Sequence, residues 1–312
     1  MQIKASESKK LHGLSHYFDE LFDLHISNKF PNKIIFSGKK GLGKSTLAYH
    51  LINCILSKHE DNKYDQKNYC INNENRSYKL VQNNCHPNFY LIDLIEDKKS
   101  IDISQIRELI TYTNKSSFND LPRFILINNL ENLNKNSVNA LLKIVEEPND
   151  NIFFILIHNN QKKILPTLKS RCITFNINLT FQENLKISSL LLNENILDLI
   201  NLDLLNYYNT SGDFLSLINF ANEKKIDLKR ISLIEILDTL ISNGYYKKNK
   251  YVKKVIINFI ELYFLKEYKL TLTKKVFHNM YTNFINKINN TEKFNLDEES
   301  LFLEFKLKML NG

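Results

Sequence analysis

Ile34-Ile35-Phe36-Ser37-Gly38-Lys39-Lys40-Gly41-Leu42-Gly43-Lys44-Ser45-Thr46-Leu47 decides the fold. An unbroken apolar run, a glycine-spaced turn and the start of a helix-period segment follow one another in it. Gly38 to Ser45 fits G-x-x-x-x-G-K-[ST] in full, and it stands after a strand and before a helix, as that motif requires. Glycines let backbone N–H groups converge on phosphate oxygens, and the helix start adds partial positive charge. The candidate cofactor-binding residues are therefore Gly38, Gly41, Leu42, Gly43, Lys44, Ser45 and Thr46, holding ATP or ADP with Mg²⁺. Lys44 would reach the outer phosphates, and the Ser45 hydroxyl would ligate the metal. Three of only seven glycines in the chain lie in this loop, which argues against a chance turn.

Working outward, further unbroken apolar runs lie at Phe89–Ile92, Phe124–Ile127, Phe153–Ile157 and Ile173–Phe175. A strand covered on both faces needs such runs, so these predict central strands of a parallel sheet. Between them, Leu47/Leu51/Cys54/Ile55, Ile103/Ile106/Ile110 and Val138/Leu141/Leu142/Val145 recur at helical spacing. Ser104 lies in the expected cap region of the second helix, and Pro148 is expected to stop the third. The alternation predicts a doubly wound α/β module.

All five prolines fall at or before Pro166, and long helical patterns take over after Phe175. Breaks at Asn209–Gly212 and Asn243-Gly244 divide them. The expected organisation is an α/β nucleotide-binding domain at 1–177, a small helical domain at 178–229 and an all-helical C-terminal domain at 230–312. The Asn-rich stretch from Lys58 to Asn84 reads as a polar surface excursion.

The 312 residues carry 42 basic and 34 acidic side chains, a formal charge of +8. That balance suits phosphate-rich partners, but the lysines are scattered and Lys, Asn and Ile abound, as AT-rich coding also produces. No stretch has the length and apolarity of a membrane span or the form of a signal peptide, so a cytoplasmic protein without membrane partners is expected. Cys54, Cys70, Cys85 and Cys172 contain no C-x-x-C pair, and reduced thiols without zinc are expected.

Phosphate-loop enzymes hold metal and water with acidic residues at the tip of a second strand. Here the Phe124–Ile127 run ends in Asn128-Asn129. An amide hydrogen-bonds but cannot hold Mg²⁺ firmly or act as a general base. Glu131, two residues on, reads as a solvated helix-start charge. Binding without efficient hydrolysis follows.

Asn139-Ala140-Leu141-Leu142-Lys143-Ile144-Val145-Glu146-Glu147-Pro148, then Ser170-Arg171-Cys172, resemble the N-A-L-L-K-x-L-E-E-P and S-R-C motifs of the AAA+ clamp-loader ATPases of bacterial DNA polymerase III. His86-Pro87-Asn88 is similar to their H-P-[DN] segment. The likeness covers Leu11 to Phe175 well. It continues more weakly at Ser211-Gly212-Asp213-Phe214-Leu215 and Asn295-Leu296-Asp297, which look similar to the family's lid and collar. The resemblance implies an AAA+ P-loop module followed by a helical lid and an all-α collar. Its implied partners are gamma/tau-type and delta subunits, the sliding clamp and primer-template DNA.

The family contains ATP-hydrolysing members and a largely structural one. Asn128-Asn129 and Gly212 depart from the hydrolysing pattern, which has Asp-Glu at the first place and a phosphate-sensing lid arginine at the second. Arg171 remains, one of five arginines in the chain, and the resemblance implies that it reaches a neighbouring subunit's γ-phosphate. A planar guanidinium suits that role. The alternative within the family is an ATP-hydrolysing gamma/tau-type subunit. From other classes, a thymidylate-type kinase lacks its Asp-Arg pair here, and an ABC-type ATPase lacks its Gly-rich signature.

Overall fold

The computed structural model describes residues 4–95, 98–115, 118–146, 151–247, 249–270, 274–294 and 298–310. Glu147, Pro148 and Asn295–Asp297, which enter the motifs above, lie outside the described residues.

Five strands form one parallel sheet: β1 (Lys33–Ser37), β2 (Phe89–Ile92), β3 (Arg123–Ile127), β4 (Ile152–His158) and β5 (Ile173–Asn176), in the order β2-β3-β4-β1-β5. All five coincide with the predicted apolar runs, but only β3, β4 and β1 are central; β2 and β5 stand at the sheet edges, and β5 has no fully buried position. Successive residues of a strand point to opposite faces, and here the two faces are two separate cores. Ile34 and Phe36 of β1 join one cluster with Phe124, Leu126, Ile155 and Ile157. Ile35 joins the other with Ile125, Ile127, Phe154 and Leu156. Every position of β3 is buried; the four from Phe124 to Ile127 are apolar, and Arg123 at its start donates to the Tyr112 and Lys115 carbonyls.

Helices α1 (Ser15–Ile26) and α2 (Lys44–Leu56) cover the first face, and α3 (Arg76–Gln82) contributes Tyr78 and Val81 to the same cluster. On the second face, α4 (Ile103–Thr113) places Ile106 and Leu109, and α5 (Lys135–Glu146) places Leu141 and Val145. The cap of α4 differs from the expectation at Ser104. Asp102 is the N-cap and forms a capping box with Gln105, which satisfies two orphan N–H groups at once.

The Lys58–Asn84 stretch is not a simple surface excursion. Tyr64, Ile71, Tyr78 and Val81 are buried in the first core. Polar side chains hold the stretch together: Glu60 accepts from the N–H groups of Arg76 and Ser77 at 2.8 and 3.0 Å, and Asn75 Oδ1 from Tyr78 N–H at 2.7 Å. These bonds cap the α3 N-terminus.

The chain divides into two compact units, residues 1–191 with 210–215, and residues 192–209 with 216–312. The first holds the sheet, α6 (Pro166–Lys169), most of α7 (Phe181–Leu192) and the first turn of α9 (Ser211–Lys224). The second contains α8 (Ile196–Leu199), the rest of α9, α10 (Leu233–Ser242), α11 (Lys250–Leu270), α12 (Lys274–Phe294) and α13 (Glu298–Phe305). Its core is aromatic: Phe264 meets Phe284 and Phe305 with ring centroids 5.9 Å apart, and Tyr263 meets Phe305 edge-on at 5.5 Å. Gly244, with φ +61°, follows α10 at the predicted break. Among the described residues no helix is long and apolar enough to cross a membrane, and no group of three His, Cys, Asp or Glu side chains is placed to hold a metal.

Candidate functional site

The strand order sets β1 beside β4, with β3 and then β2 beyond. In a parallel sheet the carboxyl ends of the strands share one edge, where α/β folds bind ligands. The segments that leave β1, β3, β4 and β2 meet there.

The loop after β1 is anchored by Gly38 N–H donating to His158 O at 3.2 Å, and it leads directly into α2. Lys44 is only 3% exposed. Its Nζ donates to Gly38 O at 2.9 Å and Lys39 O at 2.6 Å. Burial pushes the Lys44 ammonium down to about 8, against an upward pull from the Glu131 carboxylate and a further downward push from Lys40. A cation held there at the cost of desolvation gains from any anion that arrives. Leu42 is buried, and Ser45 Oγ donates to Asn128 Oδ1 at 2.9 Å.

That bond begins a chain of hydrogen bonds across the strand tips. Asn128 Nδ2 donates to Asp93 Oδ2 at 2.9 Å and Asn129 Nδ2 to Asp93 Oδ1 at 2.7 Å. Asn159 Nδ2 donates to Asn129 Oδ1 at 3.1 Å, while the Asn159 backbone N–H donates to Glu131 Oε2 at 3.2 Å. Glu131 is therefore not the solvated charge expected of it. Its Oε1 is buried and has no hydrogen-bond partner among the described residues.

Gly212 has a reason of its own. Its N–H donates to Gly41 O at 3.0 Å, and a Cβ there would stand 2.6 Å from Gly41 Cα. Gly41 has φ +89°, and a Cβ on it would come within 2.3 Å of Thr210 Oγ1. Thr210 Oγ1 and Ser211 Oγ donate to Lys40 O and Gly41 O at 3.0 and 3.1 Å. The start of α9 thus lies backbone to backbone on the phosphate loop, an approach that only paired glycines allow.

Arg171 sits apart from this network. Its side chain is 38% exposed, its Nη2 pairs with Glu146 Oε1 at 2.8 Å, and its Nη1 donates to Thr167 O at 2.8 Å. Leu168, 1% exposed, pins the short helix α6, and Arg171 stands in the turn just after it. The structure joins Ser45 and Lys44 to the strand tips and leaves Arg171 facing solvent. Sequence reasoning missed Asp93 and Asn159. Each directly follows an apolar strand, but only the strand order reveals that their strands flank β3 and β1.

The buried ammonium and the α2 N-terminus fit the phosphates of a nucleotide, and the unpartnered carboxylate oxygen fits a divalent cation beside them. Sheet order, phosphate loop and the helix start folded onto it define a P-loop nucleotide-binding module of the AAA+ class. The profile of the family described as DNA polymerase III, delta subunit, matches residues 14–180, more than half of the chain, and the chain belongs to that family. A DNA polymerase III subunit delta' of Buchnera aphidicola subsp. Baizongia pistaciae is 27% identical over 176 residues, covering 55% of this chain and 51% of that protein. The subunit delta' of Buchnera aphidicola subsp. Schizaphis graminum is 30% identical over 167 residues, covering 53% and 48%. The chain thus spans about half the length of the curated relatives it matches. Among solved structures, a DNA polymerase III gamma subunit-related protein of Thermotoga maritima aligns over 92% of this chain and 97% of its own, at 14% identity and a TM-score of 0.44.

Proposed function

We propose that this chain works in the cytoplasm as a delta-prime-type subunit of a DNA polymerase III clamp loader, helping to load the sliding clamp onto primed DNA. It binds ATP or ADP with Mg²⁺ through Gly38, Gly41, Leu42, Gly43, Lys44, Ser45 and Thr46, and hydrolyses it weakly or not at all. Its partners are gamma/tau-type and delta subunits, the clamp and, through the complex, primer-template DNA. Three domains serve this role: the nucleotide-binding module at 1–177, the lid at 178–229 and the collar at 230–312.

The observation that carries the reading is the tip of β3. Asn128 and Asn129 are amides tied to one carboxylate, Asp93. They bring no charge of their own to a metal and no base to a water. The Ser45 hydroxyl would be the side chain to hold Mg²⁺, which would supply positive charge against the phosphates. Arg171 supports a role in trans, because its guanidinium is exposed and bound only to the Thr167 carbonyl and to Glu146 among the described residues.

Two measurements on the purified chain test this. Steady-state ATP hydrolysis should be near background, and the chain should co-purify with the gamma/tau-type subunit of its own source. Brisk turnover by the isolated chain would replace this reading with the ATP-hydrolysing gamma/tau-type alternative.

A further inference from the structure

We propose that Glu131 is the acidic side chain this site presents to the divalent cation of a bound nucleotide, in place of the carboxylates that Asn128 and Asn129 do not supply. The proposal rests on the nucleotide-binding reading above and names a residue that reading does not use.

Two carboxylates stand at the strand tips, and they are engaged differently. Asp93 accepts an amide N–H on each oxygen, from Asn128 and from Asn129. Those bonds turn the Asn128 carbonyl toward the Ser45 hydroxyl, so Asp93 positions the amides. Glu131 is held by one oxygen only. Its Oε2 accepts the Asn159 backbone N–H, while its Oε1 is buried and without a partner among the described residues. A buried carboxylate oxygen with no donor is costly, and a water or an ion is the usual completing partner.

The backbone fixes where this group stands. Asn129 adopts a left-handed conformation with φ 53°, and Leu130 is buried at 3% exposure, so the turn between them is held from the core side. The same carboxylate acts electrostatically on the Lys44 ammonium of the phosphate loop. Through Asn159, whose side-chain amide donates to Asn129 Oδ1, Glu131 also joins the hydrogen-bonded strand-tip chain that ends at Ser45. A hard divalent cation takes oxygen ligands, and Mg²⁺ in nucleotide sites uses one or two carboxylates besides phosphate. An oxygen held by one N–H, with its twin free, is such a ligand or the acceptor for a metal-bound water.

The competing role is a mere counter-charge for buried Lys44, and it predicts the opposite sign. A counter-charge repels phosphate whether or not metal is present. A cation-facing group repels metal-free nucleotide but favours the Mg²⁺ form. The experiment is titration of the full chain with a fluorescent ADP analogue, once with Mg²⁺ and once with EDTA, for wild type and Glu131→Gln. We expect Mg²⁺ to strengthen wild-type binding, and the ratio of the two affinities to fall about ten-fold in Glu131→Gln, the size of effect typical of groups around a metal. Glu131→Asp, which withdraws the carboxylate but keeps its charge, should lower the same ratio and serves if the glutamine variant does not fold. An unchanged ratio, or tighter binding of both nucleotide forms by Glu131→Gln, overturns the proposal and leaves nucleotide binding standing. Absence of any nucleotide binding by wild type overturns both.

Discussion

The two cations that bear on function in this molecule are kept in opposite ways. Lys44 is 3% exposed, wrapped by loop carbonyls and held well below its ordinary pKa by burial. The Arg171 side chain is 38% exposed and rests on one carbonyl and one half-exposed carboxylate. The first is part of a packed unit in which backbone, loop and strand tips share their hydrogen bonds. The second stands in the turn after a short helix and can leave its partners at little cost. The contrast predicts that substitutions around the loop change stability first, while substitution of Arg171 changes function alone.

The largest effect should come from Gly41→Ala. The new Cβ meets Thr210 Oγ1 at 2.3 Å and sits on a backbone with φ +89°. Left-handed strain and overpacking each cost roughly 1–3 kcal/mol. A loss of about 3 kcal/mol in urea unfolding is expected. Gly212→Ala sharpens the point, because Ala is the better helix former by about 1 kcal/mol. A stabilised Gly212→Ala protein would show that α9 does not press on the loop.

Next comes acid sensitivity of the same packed side. His50 is fully buried, bonded to Tyr64 OH at 2.9 Å and Ser8 O at 3.0 Å, and burial holds it down to about 4. Unfolded, it takes a proton below about 6.5. Between those values the unfolded state binds more protons, so stability is complete above pH 6.5 and falls as pH drops toward 4. The contribution is at most about 3 kcal/mol. His12, His25 and His86 are also lowered, chiefly by burial, and act in the same direction. Urea melts across pH 4–7 should show the slope, and His50→Gln should flatten it. An equal slope in that variant would place the titration elsewhere.

Arg171→Ala tests the exposed side. Removing a guanidinium that stabilises a neighbour's phosphate typically costs ten-fold or more in turnover. DNA-dependent ATPase of the reconstituted complex should drop by about ten-fold, while the melting curve of the isolated chain stays within about 0.5 kcal/mol of wild type. Unchanged turnover would remove Arg171 from the mechanism.

The same contrast explains what could be read in advance. Strands β1, β3 and β4 were legible because they are covered on both faces, and two-sided burial writes itself as unbroken apolar runs; the edge strand β5 shows such a run although Ile173 is 54% exposed. The loop was legible because its backbone demands glycines at fixed spacing. Tyr64, Ile71 and Tyr78 were not, since single apolar residues in an Asn-rich stretch have no period and find the core only through tertiary contact. Gly212 was read as a lost arginine, but the structure adds a steric demand from Gly41 that no local pattern carries. Asp93, Asn159 and Glu131 became visible as a group only when the strand order brought their strand ends together.

The smallest effect, and the finest test of the contrast, concerns Glu146. Its ion pair with Arg171 joins side chains that are 49% and 38% exposed, and exposed pairs of this kind contribute roughly 0–1 kcal/mol. Glu146→Gln keeps a carbonyl acceptor for the guanidinium N–H and removes only the charge. Stability of the isolated chain should change by less than about 0.5 kcal/mol. If Arg171 acts through its own charge and reach, complex ATPase should stay within about three-fold of wild type, since an exposed arginine retains the Thr167 carbonyl as its guide. A fall as deep as that of Arg171→Ala would mean that the carboxylate, and not the freedom of the guanidinium, sets its aim. The exposed cation would then be as firmly built into its surroundings as the buried one.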